Sequence, residues 1–142
     1  MKSFSLLFVL AACSHASSPP ATTTPSAPAD PTSAQIEEGK QLYVAKCAGC
    51  HGNAGEGSKD APPVVGKDAF PLDARPGQKR DVQFHTAADV FGWATKHMPP
   101  KDPGSLTTEQ YLAIFAFDLT ANGIKLDKPL DATQAQATVL HP

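Results

Sequence analysis

Two cysteines three positions apart, with a histidine directly after the second, constrain this chain more than any other feature. They stand in the segment Cys47-Ala48-Gly49-Cys50-His51. One helical turn separates the two thiols, so a helical segment presents both on one side with the imidazole next to them. The chain has 142 residues, which is room for one ordinary domain. A single small fold must therefore be built around this cluster.

The CxxCH pattern is the sequence of covalent c-type haem attachment. Each thiol can add to one vinyl group of the same porphyrin, and His51 then becomes the proximal ligand of the iron. A disulfide, a redox-active dithiol and a zinc site completed by His51 with His85 or His97 are the alternatives. No βαβ pattern surrounds the motif and no second CxxC or HxxxH completes a zinc site, while an iron–sulfur cluster needs four thiolates. The pattern favours one haem, bound through Cys47 and Cys50.

An electron-carrying haem iron needs a second axial ligand, and the sequence offers Met98. It is the only methionine besides Met1, and it stands in His97-Met98-Pro99-Pro100. The two prolines disfavour helix and predict an extended turn that holds the thioether outside regular structure. His97 and His85 are the alternative ligands at this position.

The first residues have the order of an export signal. A lysine at position 2 precedes an apolar run over residues 4–12, which predicts a signal peptide over residues 1–12. The segment Leu10-Ala11-Ala12-Cys13 resembles the lipobox of bacterial lipoproteins, and this resemblance implies that Cys13 is acylated and anchors the chain to a membrane. Ser14, where an aspartate would resemble an inner-membrane retention signal, favours the outer membrane, facing the periplasm. An ordinary signal peptide with an incidental cysteine is the alternative.

Residues 14–35 are rich in Pro, Ser and Thr and contain no Leu, Ile, Val, Phe, Tyr or Trp. Such a segment cannot bury enough apolar surface to offset its ordering entropy. With Cys13 it forms the predicted anchor and disordered linker of residues 13–35.

Three segments with helical periodicity each begin with a threonine followed three residues later by Gln or Asp, the pattern of a capping box. The predicted helices run from Thr32 to about residue 47, from Thr86 to about His97, and from Thr107 to Ala121, ahead of Asn122-Gly123. Residues 52–85 have no strand alternation and too little apolar content to pack alone, so a loop this long needs a filler. The prediction is an all-α fold of about three main helices with long loops around one covalent haem.

Residues 36–123 are similar to the small single-haem cytochrome c domains of the His/Met type, class I. The similarity rests on CAGCH followed by Gly52, with Met98 some fifty residues later in an MPP context. It implies that the first and last helices cross closely, with Gly39 and Tyr43 against Ile114 and Phe117. It also implies that a proline carbonyl, of Pro62 or else Pro63, accepts the N–H of the proximal imidazole. Residues 124–142 are predicted to form a strap over this domain that frays toward Pro142.

Several further side chains are candidates for the haem surroundings. Trp93, one turn before Met98, is predicted to wall the pocket, with a hydrogen bond to a haem propionate as the alternative. Arg75 and Arg80 are candidate propionate partners. One hypothesis is a basic rim for docking, formed by Lys46, Lys96 and Lys101. The alternative is that these are ordinary solvated lysines.

With His51 and Met98 both bound, the iron has no open position for a substrate, so the sequence predicts electron transfer between redox proteins and no enzyme activity. A formal charge of −2, from 12 basic and 14 acidic residues, argues against nucleic-acid binding. No small-molecule substrate is expected. A haem subunit of a larger redox complex and a ligand-binding haem sensor are the alternative functions.

Overall fold

The computed structural model describes residues 30–141. They form five helices and, within this range, no strand: α1 (Pro31–Lys46), α2 (Ala48–His51), α3 (Ala87–His97), α4 (Thr108–Ala121) and α5 (Ala132–Ala137). One isolated bridge pairs Thr86 with Val139. The all-α prediction is confirmed. The signal segment, Cys13 and most of the predicted linker lie outside the described residues.

The first helix begins earlier than predicted, and the expected capping box at Thr32 and Gln35 is wrong. Asp30 caps α1 instead, because its carboxylate accepts the amides of Thr32 at 2.9 Å and Ser33 at 3.3 Å. Pro31 occupies the first turn, where its missing N–H costs nothing. The Gln35 side chain bonds both backbone groups of Leu130, at 2.9 and 2.7 Å. Helix α1 therefore includes residues 31–35, where the predicted linker of residues 13–35 overlapped the helix predicted from Thr32.

The other two predicted helices have the expected boundaries. Capping boxes at Thr86 with Asp89 and at Thr107 with Gln110 open α3 and α4. The amide of Asn122 bonds the carbonyl of Asp118 at the end of α4, and Gly123 follows with φ of 82°. These boundaries were predictable because each depends on residues within one turn.

Helices α1 and α4 cross at closest approach where α1 carries Gly39. A Cβ at this position would lie 1.8 Å from the Ala113 carbonyl oxygen, so only glycine fits the crossing. One turn later the ring of Tyr43 packs against Phe117 at 5.3 Å between centroids. The close crossing expected from the family resemblance is present.

The main hydrophobic cluster lies between α3, α4 and the C-terminal residues. The C-terminal segment contains a helix that the sequence did not indicate, α5, and buries Leu130 and Ala135. Near the end of the chain, the amide of Leu140 bonds the carbonyl of His85 at 2.7 Å, and Nε2 of His141 lies 2.8 Å from the Phe70 carbonyl oxygen. The strap is thus held in place as far as His141, and Pro142, toward which fraying was predicted, lies outside the described residues.

Two polar side chains hold the backbone of the long loop between α2 and α3, one at the end of α4 and one within the loop itself. Asn122, at the end of α4, accepts the Gly66 amide at 2.9 Å and donates to the Val64 carbonyl at 2.8 Å. Arg80 donates to the carbonyls of Pro71 and Leu72, and its guanidinium carbon lies 3.6 Å from the centroid of the Phe84 ring. These polar contacts fix the loop backbone, and the loop's own Phe70 and Phe84 are buried in the main hydrophobic cluster.

Candidate haem site

The two candidate attachment cysteines lie on consecutive turns of backbone at the junction of α1 and α2. Cys47 ends α1, and its carbonyl accepts the amides of Cys50 at 3.1 Å and His51 at 3.0 Å. Both thiols are free; Cys47 is half-buried and Cys50 is exposed. Because the turn is helical, the chain presents two thiols and an imidazole from one short segment.

Burial raises the pKa of the Cys47 thiol to about 12, and the nearby Asp118 and Cys50 add to the effect by repulsion. A thiol with this pKa is protonated at neutral pH. In the haem protein this sulfur would be a thioether, which carries no charge and so fits a half-buried position.

The imidazole of His51 is oriented by the loop that follows it. Its Nδ1 lies 2.7 Å from the carbonyl oxygen of Pro62, so Nδ1 carries the proton and donates. The lone pair is then on Nε2, the nitrogen left to bind a metal. Of the two prolines that the sequence offered for this contact, the structure selects Pro62 over Pro63.

Two glycines turn the loop back so that Pro62 reaches His51. Gly57 has φ of 83° and donates its amide to the His51 carbonyl at 2.7 Å, and a Cβ here would lie 2.6 Å from the Pro63 nitrogen. The carbonyl of Gly55, whose φ is 77°, accepts the amide of Val64 at 2.8 Å. Both glycines are required by the left-handed backbone that brings the proline carbonyl to the imidazole.

Met98 is the C-cap of α3 and has an extended backbone, as the following prolines required. Its side chain is half-buried and packs against the main hydrophobic cluster. Its carbonyl oxygen accepts a hydrogen bond from the hydroxyl of Tyr111 at 2.5 Å. Sequence reasoning missed Tyr111, because a tyrosine within the apolar helix α4 carries no signal that separates it from a core residue.

The two histidines considered as alternative ligands are both exposed. The ring of His97 stacks on Trp93 at 4.4 Å between centroids, and its Nδ1 lies 2.7 Å from the Trp93 carbonyl oxygen. His85 lies 3.4 Å from the amide oxygen of Gln83, beside the C-terminal strap. Both rings are exposed, whereas Met98 is half-buried against the hydrophobic cluster.

Trp93 is half-buried against the main cluster, with its ring edge toward Phe84 at 6.1 Å between centroids. Its indole lies along a cleft with His97 and with charged and polar loop residues, Gln78, Lys79, Arg80 and Asp81. These contacts place Trp93 at the edge of the core, and its role as a wall of the haem pocket stays a prediction.

The charged candidates differ in what they contact. Arg75 donates to the carbonyl of Asp68, and Arg80 to two loop carbonyls. The Nε of Arg80 is buried and has no hydrogen-bond partner among the described residues, which leaves one donor for an anionic group. Desolvation lowers the pKa of Arg80, with Asp73 opposing it. The proposed docking residues Lys46, Lys96 and Lys101 are all exposed.

The residues present fit a covalently attached haem. One helical turn supplies two unpaired thiols, His51 offers a free Nε2 with a fixed tautomer, and Arg80 retains an unused donor. The zinc alternative loses support, because no three His, Cys, Asp or Glu side chains in residues 30–141 come together as a metal site. When bound, the haem supplies an iron centre that is oxidised and reduced by one electron.

A buried carboxyl group that the sequence did not single out lies beside the attachment turn. Asp118 on α4 is only 4% exposed, and its Oδ1 has no hydrogen-bond partner in the described part of the chain. Burial raises its pKa well above the ordinary value of 3.8. Burial is the larger cause of the raised pKa values of Cys47 and Tyr43, and the charge of Asp118 contributes to both.

Comparison with known proteins places the site within a family. The profile of the family described as cytochrome c oxidase, cbb3-type, subunit III matches residues 34–117, which is more than half of the chain. The thiosulfate dehydrogenase of Stutzerimonas stutzeri (strain A1501) is 39% identical over 93 residues, covering 62% of this chain and 28% of that protein. A crystal structure of the sulfane dehydrogenase SoxCD from Paracoccus pantotrophus superposes with a TM-score of 0.57 and 28% identity, covering 74% of this chain and 52% of that one.

The matched span contains the attachment turn, His51, Pro62 and Met98, and ends inside α4. This chain spans about half or less of the length of the two relatives, both of which are named as enzymes. No helix within residues 30–141 is both long and apolar enough to cross a membrane. The chain belongs to the family of the cbb3-type cytochrome c oxidase subunit III, and it is a c-type cytochrome, an electron-transfer protein that binds haem iron covalently.

Proposed function

We propose that the chain carries one electron at a time on a single haem, attached through Cys47 and Cys50 and ligated by His51 and Met98. The observation that carries this proposal is the contact between Nδ1 of His51 and the Pro62 carbonyl, at 2.7 Å. It orients the imidazole, leaves Nε2 as the ligating atom and raises the basicity of the ring. An oriented, strongly basic proximal ligand suits a redox centre whose geometry changes little between its two states.

Three structural features support Met98 as the second ligand. The residue ends α3 with an extended backbone, its side chain is half-buried, and its main chain is held by Tyr111. The competing histidines are exposed and engaged elsewhere. Methionine ligation raises the reduction potential of haem iron, so the carrier is expected toward the oxidising end of its electron-transfer chain.

Two axial protein ligands leave no position for a substrate, so this domain is proposed to have no enzyme activity of its own. Its partners are then redox proteins, one donor and one acceptor. The exposed Lys46, Lys96 and Lys101 are candidates for docking them, because exposed cations near a redox centre steer an acidic partner.

Carbon monoxide binding to the reduced protein tests the ligand set. Wild type should keep its visible spectrum when carbon monoxide is added, since both axial positions are taken. Met98→Ala should keep the covalent haem, bind carbon monoxide and show a lower reduction potential. A Met98→Ala variant with the wild-type spectrum would show that a histidine is the second ligand, and His97→Ala with His85→Ala would then identify which one.

The relatives favour a second candidate function, that of a haem domain or subunit working within a larger redox enzyme, because both are named as dehydrogenases of sulfur compounds. Such a cytochrome would pass on electrons that a catalytic part removes from a sulfur compound. Gel filtration after gentle purification from native membranes distinguishes a free carrier from a subunit. A free carrier elutes alone, and a subunit elutes with its enzyme.

We also propose export and lipid anchoring, with Cys13 as the acylated residue and the Pro-, Ser- and Thr-rich segment ahead of α1 as a tether. The proposal rests on the sequence of residues 1–30, and it agrees with a cytochrome that meets its partners in the periplasm. Cys13→Ser should move the protein from the membrane fraction to the soluble fraction or leave it as an uncleaved precursor. Wild-type protein that is entirely soluble after osmotic shock would exclude the anchor.

A further inference from the structure

The hydroxyl of Tyr111 joins the two ends of the loop that begins with Met98. Tyr111 lies in the first turn of α4 and is 4% exposed. Its hydroxyl donates to the Met98 carbonyl at 2.5 Å and accepts the Gly104 amide at 3.2 Å. One oxygen atom therefore satisfies a backbone acceptor at the start of the loop and a backbone donor near its end.

The rest of this loop has little else to hold it. Residues 100–105 are exposed, and the remaining backbone bonds are short-range turns from Asp102 to Pro99 and from Ser105 to Asp102. Within the described part of the chain, no other side chain hydrogen-bonds to residues 98–105. Its conformation therefore depends strongly on this one buried hydroxyl.

The Tyr111 ring is itself well placed to act as a rigid support. It stands perpendicular to Phe91 of α3, with 6.5 Å between ring centroids. Phe91 in turn packs edge-on against Phe115 of α4 at 5.9 Å. The hydroxyl is thus tied to both helices that border the loop, and it cannot follow the loop if the loop moves.

We infer that Tyr111 is a positioning residue for Met98, holding the main chain so that the thioether stays available to the iron. This inference rests on the proposed function, in which Met98 is the second ligand. Without the hydroxyl, the Met98 carbonyl and the Gly104 amide lose their partner, and the loop gains conformations in which the thioether is withdrawn. Loss of one such hydrogen bond is expected to raise the open fraction about tenfold.

Tyr111→Phe tests the inference, because it removes the hydroxyl and keeps the ring in the core. The readouts are the weak absorption band of ferric iron bound to a methionine thioether, followed on heating, and carbon monoxide binding to the reduced protein. In the variant, the band should be lost well below the temperature of global unfolding, and carbon monoxide should bind at concentrations about tenfold below any that alter the wild-type spectrum. Far-ultraviolet circular dichroism reports global unfolding in the same samples.

Tyr43→Phe is the matched control. It also removes a hydroxyl of a buried tyrosine that bonds a carbonyl, that of Gly52 at 2.8 Å, but this bond lies far from the Met98 loop in sequence. The control should lower the temperature of global unfolding. In the control, the thioether band should still be lost at that same temperature. If Tyr111→Phe behaves like this control, with band loss and unfolding still coincident, the hydroxyl has only a structural role and the inference is wrong.

Met98→Ala separates failure of this inference from failure of the proposed ligand set. If the thioether band is absent in wild type, or survives in Met98→Ala, the ligand assignment itself is wrong. If Met98→Ala abolishes the band while Tyr111→Phe leaves its thermal stability and carbon monoxide binding unchanged, only the role of Tyr111 is refuted.

Discussion

The pair of helices α1 and α4 and the loop between α2 and α3 are held in opposite ways. The helices meet through close packing, with Gly39 against the Ala113 backbone and Tyr43 against Phe117. The backbone of the loop, over residues 52–85, is held by single hydrogen bonds from Asn122 at the end of α4 and from Arg80 within the loop. The loop is also anchored by its own Phe70 and Phe84, which are buried in the main cluster. The helix crossing is therefore sensitive to added side-chain volume, and the loop backbone between its apolar anchors is sensitive to the loss of single hydrogen bonds.

The largest effect is expected at the helix crossing. Gly39→Ala places a methyl group within 1.8 Å of the Ala113 carbonyl oxygen, so the helices must separate. We expect a loss of about 3 kcal/mol or more in the free energy of unfolding, measured by denaturant titration of the haem-containing protein. Gly92→Ala on α3 is the control, since nothing lies within 4 Å of a Cβ there, and it should be neutral or slightly stabilising. Equal effects of the two substitutions would show that α1 and α4 are not packed as described.

The next prediction concerns Asp118, the buried carboxyl group on the α4 side of the crossing. Its pKa is raised in the folded state, so between pH 3.8 and that higher pKa the folded protein keeps a proton that the unfolded chain releases. The contribution of Asp118 to the free energy of unfolding is fully present below pH 3.8. It falls as the pH rises, by up to about 1.4 kcal/mol per pH unit. Asp118→Asn should therefore gain stability over wild type as pH increases toward neutrality.

Unfolding titrations at several pH values between 4 and 8 would measure this difference at roughly 25 °C. Asp127→Asn serves as the control, since Asp127 is exposed and only 3.4 Å from the exposed Lys125 amine. Its difference from wild type should stay small, because an exposed ion pair contributes little to stability. A difference for Asp118→Asn that does not change with pH would mean that burial does not raise the pKa of this carboxyl group.

These contrasts also explain how much the sequence could predict. The starts of α3 and α4 depend on residues within one turn, so their capping boxes could be predicted from the sequence. The CxxCH segment could be recognised in the sequence because its chemistry is local to one turn. The start of α1 was misjudged because the Gln35 side chain bonds Leu130, 95 positions away, and α5 has too weak an apolar pattern to be seen. Tyr111 acts through a contact that only the folded chain creates.

A smaller effect is expected in the loop. Asn122→Ala removes the bonds to the Gly66 amide and the Val64 carbonyl, which tie the loop to the end of α4. We expect a loss of about 1–2 kcal/mol in stability and faster hydrogen exchange at Gly66, with the amides of α1 unchanged. Hydrogen exchange followed by mass spectrometry would measure both. An equal loss of amide protection in the loop and in α1 would mean that the two regions unfold together and are not held in different ways.

We propose that the loop and the helices enclose a haem bonded to the turn at residues 47–51. Acid-acetone extraction of the denatured protein, followed by mass spectrometry of its peptides, tests this most directly, because thioether bonds survive conditions that break iron–ligand bonds. We expect the colour to stay with the protein and one haem mass to be found on the peptide containing Cys47 and Cys50. Colourless protein after extraction, with both cysteines unmodified, would contradict it.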